Sequence, residues 1–182
     1  MIEQVRIIGI DPGAKRCGFS VLDFDLDGST DQFSNPRFVA SGIFGLSRKD
    51  EIQETYSAYK MRLITNAIEV FQRKIEEHNP DLFIFEFLPV TNVGAAAGQR
   101  LLAFAVATVG QVMAELSGVY WSEITASTVK KQMTGHGMAT KVQVKNAVLE
   151  VFPELKSNKY LADETDALAI PIAWTKRKNT ES

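Results

Sequence analysis

Acidic side chains occur at four places where the surrounding sequence is apolar or where a strand is expected to end. Asp11 follows the β-branched run VRIIGI and precedes a Pro-Gly turn, and Glu86 lies inside the apolar stretch FIFEFLP. Asp163 and Asp166 begin the apolar segment ALAIPIAW, and their spacing of three places both side chains on one face of a helix. Four carboxylates brought together repel one another unless cations lie between them, and hard oxygen ligands suit Mg²⁺ or Mn²⁺.

Each carboxylate taken singly also has an ordinary structural explanation. An Asp before Pro-Gly can be a turn former, a Glu in a strand can face solvent at an edge, and two acids at a helix start can complement the helix dipole. Glu86 fits its ordinary explanation least well, because apolar neighbours on both sides imply burial and a buried unpaired carboxylate is costly. The joint interpretation requires the strands of Asp11 and Glu86 to be adjacent and the last helix to reach them.

Such a cluster predicts phosphodiester hydrolysis. Two divalent ions about 4 Å apart form the arrangement that enzymes use for in-line cleavage of a phosphodiester. One ion lowers the pKa of a bound water and directs it at phosphorus, while the other stabilises the leaving 3′ oxygen.

The elements that must position these residues indicate an α/β protein with a five-stranded mixed sheet flanked by helices. Strands are predicted at 5–11, 19–25, 37–46, 82–88 and 119–124, with a loop over 25–36. Periodic apolar positions predict helices over 50–78, 94–117 and 140–152, followed by the segment 163–175. We expect one nuclease domain over 1–175 and a basic, flexible tail over 176–182.

Composition narrows the class of protein. The chain has 182 residues, 45% of them hydrophobic, and its single cysteine, Cys17, excludes an internal disulfide. The longest apolar run, 101–113, is too short for a membrane span, and the N-terminus has no secretory signal, so we expect a cytoplasmic protein. A net charge of −2 does not fit a simple nucleic-acid coat, so any DNA-binding surface must be local.

A local excess of positive charge lies between residues 121 and 159, where six lysines face three glutamates. Phosphate contacts come mostly from lysine and arginine, although an ordinary solvated lysine face remains the alternative. The glycine-rich stretch 134–140 is interpreted as a flexible loop that DNA can approach closely, or simply as a loop. The candidate DNA-binding residues are Lys130, Lys141, Lys145, Lys131, Lys15 and Arg16.

The helix 94–117 is apolar almost all round and rich in glycine and alanine. Such a helix must be covered on more than one side. The sheet can cover one side and a symmetry mate the other, whereas full burial inside a monomer is the alternative. A twofold dimer through this helix would carry two active sites.

Several stretches together resemble the RuvC family of Holliday junction resolvases, the crossover junction endodeoxyribonucleases. They are IIGIDPGAKRCGFSVLD, IFEF, GQRLLAFAVATVGQVM, VKKQMTGHGMATKVQV and ADETDALAI, in this order over nearly the whole chain. The resemblance implies an RNase H-like fold, a homodimer, two Mg²⁺ ions per active site with Mn²⁺ as a substitute, and symmetric paired nicks in a four-way junction. It implies a catalytic, metal-binding set of Asp11, Glu86, Asp163 and Asp166, and it places Lys130 and Lys141 near the DNA and the active site.

The chain departs from the family pattern at Pro89, where members commonly carry an aromatic residue that wedges into the junction. Glu164 matches no family role and is expected to be solvated. The main alternative is another RNase H-like nuclease that cuts flaps, other branched DNA or RNA–DNA hybrids. An actin-like ATPase would need more than 182 residues, and a non-catalytic junction-binding scaffold would not need four converging carboxylates.

Overall fold

A five-stranded mixed sheet with helices on both faces forms the structure, as the sequence predicts. The computed structural model describes residues 1–13, 16–45, 55–87, 97–157 and 162–181. In chain order the elements are β1 (Ile2–Asp11), β2 (Arg16–Asp27), β3 (Gln32–Gly45), α1 (Tyr56–His78), β4 (Leu82–Phe87), α2 (Ala97–Leu116), β5 (Tyr120–Thr125), α3 (Ala126–Thr134), α4 (Lys141–Val151), a 3₁₀ turn (Pro153–Ser157) and α5 (Ala162–Glu181). Among the described helices, none is long and apolar enough to cross a membrane.

The order and direction of the strands bring the C-terminal ends of three of them to one edge of the sheet. The sheet order is β3-β2-β1-β4-β5, with β1 antiparallel to β2 and parallel to β4, and with β4 parallel to β5. β1, β4 and β5 therefore all end at the same edge of the sheet, which is where side chains from separate strands can meet.

Alternating side chains divide the core into two layers, one on each face of the sheet. Ile8, Phe83 and Phe85 pack towards α1 and α2. Ile7 and Ile84 pack on the opposite face against α3, α4 and α5. Because both faces are covered there, residues 7–10 of β1 and 82–85 of β4 carry no polar side chain.

The helix α5 lies directly on the sheet where two small residues admit it. Pro171 has no N–H to donate to the carbonyl of Ala167 four residues earlier, and the hydroxyl of Ser20 donates to that oxygen at 2.8 Å instead. A Cβ on Gly9 would lie 2.5 Å from Cδ of Pro171 and 2.7 Å from the Ala167 oxygen. These contacts hold Asp166, the residue before Ala167, in a fixed place over β1.

Three segments differ from their predictions. The stretch 25–36 is mostly strand rather than loop, because β2 and β3 continue as a long hairpin with a turn at residues 28–31. Residues 176–181 are helical rather than a flexible tail, and the side-chain amide of Asn179 donates to the Phe33 oxygen at 2.7 Å and accepts from the Phe33 N–H at 2.7 Å. The helix α3 was not predicted, because its nine residues are too short for a clear apolar period.

Candidate active site

Asp11 and Glu86 reach the same edge of the sheet because their strands are parallel and in register. Ile10 of β1 pairs with Phe85 of β4, and each acid is the next residue along its strand. Both carboxylates are partly buried, and each directly follows a buried run, residues 7–10 in β1 and 83–85 in β4. The strands that carry Asp11 and Glu86 are therefore adjacent, as the joint interpretation of the carboxylates requires.

A third carboxylate comes from α5. The side chain of Asp166 is partly buried and lines a cleft of about 230 Å³ together with Asp11 and Glu86. Asp163 lies one helical turn before Asp166 on the same helix, but its side chain is outside the described residues. We refer to this space as the carboxylate cleft; its lining is Asp11, Glu86, Ala126, Val129, Lys130, Lys141, Val144 and Asp166.

The remaining wall of the carboxylate cleft comes from α3 and α4, whose starts are fixed by threonine caps. Thr125 caps α3 by accepting from the Thr128 N–H, and Thr140 caps α4 in a reciprocal capping box with Gln143. These caps place Lys130 one turn into α3 and Lys141 at the first position of α4. The Thr-x-x-Gln pattern at residues 140–143 is a signal that sequence reasoning can use for the start of α4.

Burial and a neighbouring charge act together on Glu86. Burial raises the pKa of its carboxyl, the negative charge of Asp166 raises it further, and the result is a pKa of about 7 despite the opposing charges of Lys141 and Lys130. A carboxylate in this state gains from any added cation, because a cation would compensate charge that water no longer solvates.

Lys141 supplies part of the positive charge that compensates the carboxylates of the cleft. Its ammonium group forms an ion pair and hydrogen bond with Oδ2 of Asp166, although most of the lysine side chain is exposed. An exposed pair of this kind adds at most about 1 kcal/mol to stability. We therefore infer that this ion pair matters mainly for the electrostatic potential of the cleft and little for the stability of the fold.

The chemistry of the donors fits a hard divalent cation, although the described side chains do not form a ready-made cage. Among the His, Cys, Asp and Glu side chains described, no group of three is close enough to hold a metal ion. Asp163, the fourth predicted ligand, is outside this test. The converging carboxylates nevertheless supply the oxygen donors that Mg²⁺ or Mn²⁺ prefers, and the raised pKa of Glu86 shows that a negative charge at this position is poorly compensated without a cation.

The predicted basic residues divide between the carboxylate cleft and its surroundings. Lys130 and Lys141 line the cleft, while Lys131 and Lys145 are exposed on the same two helices, α3 and α4. Arg16 is exposed at the start of β2. Lys15, Leu88 and Pro89 lie outside the described residues.

Sequence reasoning missed the apolar part of the site and misjudged one acid. Ala126, Val129 and Val144 line the carboxylate cleft and narrow it beside the acids. No motif singled them out, because short apolar side chains are common on any helix that faces a core. Glu164, which was expected to be solvated, is partly buried on α5.

Comparison with known proteins identifies the family to which the chain belongs. The family model described as crossover junction endodeoxyribonuclease RuvC matches residues 7–174. The chain is 31% identical over 175 residues to the crossover junction endodeoxyribonuclease RuvC of Renibacterium salmoninarum, covering 93% of this chain and 80% of that relative. It resembles the Thermus thermophilus RuvC structure with a TM-score of 0.72 and 18% identity, covering 100% of this chain and 98% of the other.

A second solved structure adds a DNA complex to the comparison. T. thermophilus RuvC in complex with Holliday junction substrate has a TM-score of 0.71 and 16% identity to this chain, covering 99% of it and 96% of the other. At such identities the likeness concerns the fold, and it confirms the predicted RNase H-like class.

Proposed function

Because the chain belongs to the RuvC family of crossover junction endodeoxyribonucleases and is a nuclease, we propose that it resolves four-way (Holliday) DNA junctions by symmetric paired nicks. The observation that supports this most directly is the convergence of Asp11, Glu86 and Asp166, from three separate elements, on one cleft flanked by lysines. We assign this activity to a single nuclease domain that contains every described element from β1 to α5.

We assign the catalytic set to Asp11, Glu86, Asp163 and Asp166, acting as ligands of two Mg²⁺ ions, for which Mn²⁺ can substitute. Such ions supply a lowered water pKa and stabilisation of the leaving 3′ oxygen. Glu86 contributes a partly buried carboxylate whose charge solvent compensates poorly, and Asp11 contributes the neighbouring oxygens at the end of β1. The pairing of Lys141 with Asp166 keeps a positive charge beside the acids, where a scissile phosphate must sit.

We propose that the DNA backbone follows the lysines of α3 and α4. Residues 126–149 contain four lysines and no acidic residue, so this part of the surface attracts phosphates. Lys130 and Lys141 line the carboxylate cleft, and we propose that they contact the phosphate being cleaved. The helix α4 begins at Lys141, so its backbone N–H groups also favour an anion. The proposed DNA-binding residues are Lys130, Lys141, Lys145, Lys131, Lys15 and Arg16.

We further propose that α2 forms the dimer interface. Its inward side is buried against the sheet and α1 through Val106 and Ala107, while Leu101, Phe104 and Val112 are exposed on the outward side. An apolar stripe at helical spacing on the surface indicates a protein contact. The same stripe on a second protomer would bury it and give two active sites related by a twofold axis, matching the symmetry of a four-way junction.

Phe104→Glu is expected to prevent dimer formation without unfolding the protomer, because the side chain is already exposed and its charge would oppose its symmetry mate. Analytical ultracentrifugation should show a monomer, and paired cuts should give way to isolated single nicks. Met61→Glu, at an exposed position on α1, is the matched control and should remain dimeric. A dimeric Phe104→Glu protein that still makes paired nicks would show that α2 is not the interface.

The proposed function is tested by cleavage of a mobile four-way junction labelled on each arm in turn. We expect two nicks at symmetric positions in opposed strands, made within one binding event and dependent on Mg²⁺. A flap, another branched DNA and an RNA–DNA hybrid should be cut much more slowly. If the hybrid or the flap is the better substrate, the chain is instead an RNase H-like nuclease of different selectivity.

A further inference from the structure

A second, smaller cleft adjoins the carboxylate cleft. It has a volume of about 130 Å³ and is lined by Lys141, Val142, Lys145, Thr165 and Asp166. Lys141 and Asp166 line both spaces, so their ion pair forms the wall between them. We call this space the α4 cleft. Anything bound in it lies immediately beside whatever is bound at the carboxylates.

The lining of the α4 cleft combines positive charge with exposed apolar surface. Val142 is 67% exposed although it is a β-branched apolar residue. The lysines on either side of it, Lys141 and Lys145, are one helical turn apart on the same helix. Asp166, the acid in the lining, is engaged by Lys141. A ligand that is anionic along one part and apolar along another matches this combination, and a nucleotide within a DNA strand has that chemistry.

A second exposed apolar side chain lies four residues before Val142. Met138 is 94% exposed in the loop between α3 and α4. The ends of this loop are fixed: the Gly135 N–H donates to the Lys131 oxygen at 2.8 Å, and the Ala139 N–H donates to the His136 oxygen at 3.1 Å. Ala139 is buried, so the loop is anchored while Met138 is held out in solvent. A partner that covers exposed apolar surface stabilises the complex by about 25 cal/mol for each Å² removed from water.

We propose that the α4 cleft binds the nucleotide next to the cleaved phosphodiester, with Lys145 at its phosphate and Val142 and Met138 against its sugar and base. These two apolar residues then influence which junction sequences are cut efficiently, because each base offers them a different apolar surface. The inference rests on the proposed function, since it assumes that the cleaved strand passes the carboxylates. The occupant is DNA, because the local charge is positive and the α4 cleft shares a wall with the carboxylate cleft.

The test separates apolar contacts from phosphate contacts by their salt dependence. Junction affinity is measured in EDTA, where metal-dependent cleavage is absent, over a range of salt concentrations. The double variant Met138→Ala/Val142→Ala should bind the junction about tenfold more weakly than the wild type. This loss should be the same at low and at high salt, because apolar contacts release no counterions. Lys145→Ala should instead lose more affinity at low salt, with the slope of log K against log salt falling in magnitude by about 0.9.

The matched controls are Met61→Ala on α1 and Val39→Ala on β3, both at exposed apolar positions away from α3 and α4. Both should bind junctions like the wild type. In Mg²⁺, cleavage of junctions carrying each base beside the cut should show a sequence preference in the wild type that is weakened in the double variant but kept in the controls.

Two results would overturn the inference while leaving the proposed function intact. In the first, the wild type resolves junctions and the double variant matches it in both affinity and sequence preference. In the second, the double variant changes only the oligomeric state, which would make this surface a protein contact. A wild type that cuts no four-way junction would remove the proposed function and this inference with it.

Discussion

Asp11→Asn, Glu86→Gln, Asp163→Asn and Asp166→Asn are each expected to lower junction cleavage by at least about a thousandfold while junction binding is retained. Each change keeps the shape of the side chain and removes the charge that a divalent cation needs. Single-turnover cleavage and equilibrium binding to the same labelled junction measure the two effects separately. Glu164→Gln is the matched control, because it neutralises an acid on α5 between Asp163 and Asp166 that has no assigned role.

The Glu86→Gln variant has a second expected signature, in stability rather than activity. Because burial and Asp166 raise the pKa of Glu86 to about 7 in the folded, metal-free protein, the ionised form is disfavoured there. The contribution of the neutral Glu86 carboxyl to the free energy of unfolding is fully present below the ordinary pKa of a glutamate. It is lost as the pH rises through about 7. Metal-free Glu86→Gln should therefore be more stable than the wild type at pH of about 8, on the order of 2 kcal/mol, with the difference nearly absent below pH of about 4.

Urea denaturation in EDTA at both pH values measures this difference. Adding Mn²⁺ at the higher pH should stabilise the wild type and do little for the variant, since the cation binds the folded wild type selectively. A Glu86→Gln protein with wild-type cleavage would remove Glu86 from the catalytic set. Equal stability at both pH values would show that the carboxyl is better solvated than its position indicates.

Gly9→Ala is expected to destabilise the protein by about 3 kcal/mol or more, the upper part of the range for overpacked cores. The added Cβ would lie 2.5 Å from the ring of Pro171 and 2.7 Å from the Ala167 oxygen, and neither a proline ring nor a helix backbone can move aside locally. The helix α5 must then shift away from β1, which also moves Asp166. We therefore expect the fraction that remains folded to cleave junctions more slowly than the wild type.

Chemical denaturation of Gly9→Ala beside Gly45→Ala checks this explanation. Gly45 ends β3, and a Cβ there would meet no atom within 4 Å among the described residues, so the control should change stability little. A Gly9→Ala protein within about 0.5 kcal/mol of the wild type would mean that α5 is not held against β1 as described.

The sequence predicted what depends on local pattern and missed what depends on distant contacts. The apolar runs predicted β1, β4 and the burial of Glu86, because the apolar neighbours of a strand residue indicate that the strand is buried; the structure shows Glu86 partly buried. No local pattern indicates that the Ser20 hydroxyl donates to the Ala167 carbonyl, which Pro171 leaves without its helical N–H donor. Nor does any local pattern indicate that Gly9 makes room for this proline, since these residues are far apart in the chain.

The same distinction explains the segments that were wrong. Asn179 resembles any polar residue near a chain end, and only its two hydrogen bonds to the Phe33 backbone show why the helix continues past residue 175. The loop expected over 25–36 is rich in turn-forming residues, yet most of them lie within strands of a hairpin with irregular register. Turn composition alone therefore overestimated the length of the turn.

A crystal of the protein with a four-way junction, soaked in Mn²⁺, offers the most direct measurement. Anomalous scattering is predicted to show manganese between the carboxylates of Asp11, Glu86 and Asp166, with Asp163 completing the ligand set. Absence of any anomalous peak at the carboxylate cleft, in a crystal where the junction is bound and those oxygens remain apart, would contradict the proposed metal-dependent cleavage.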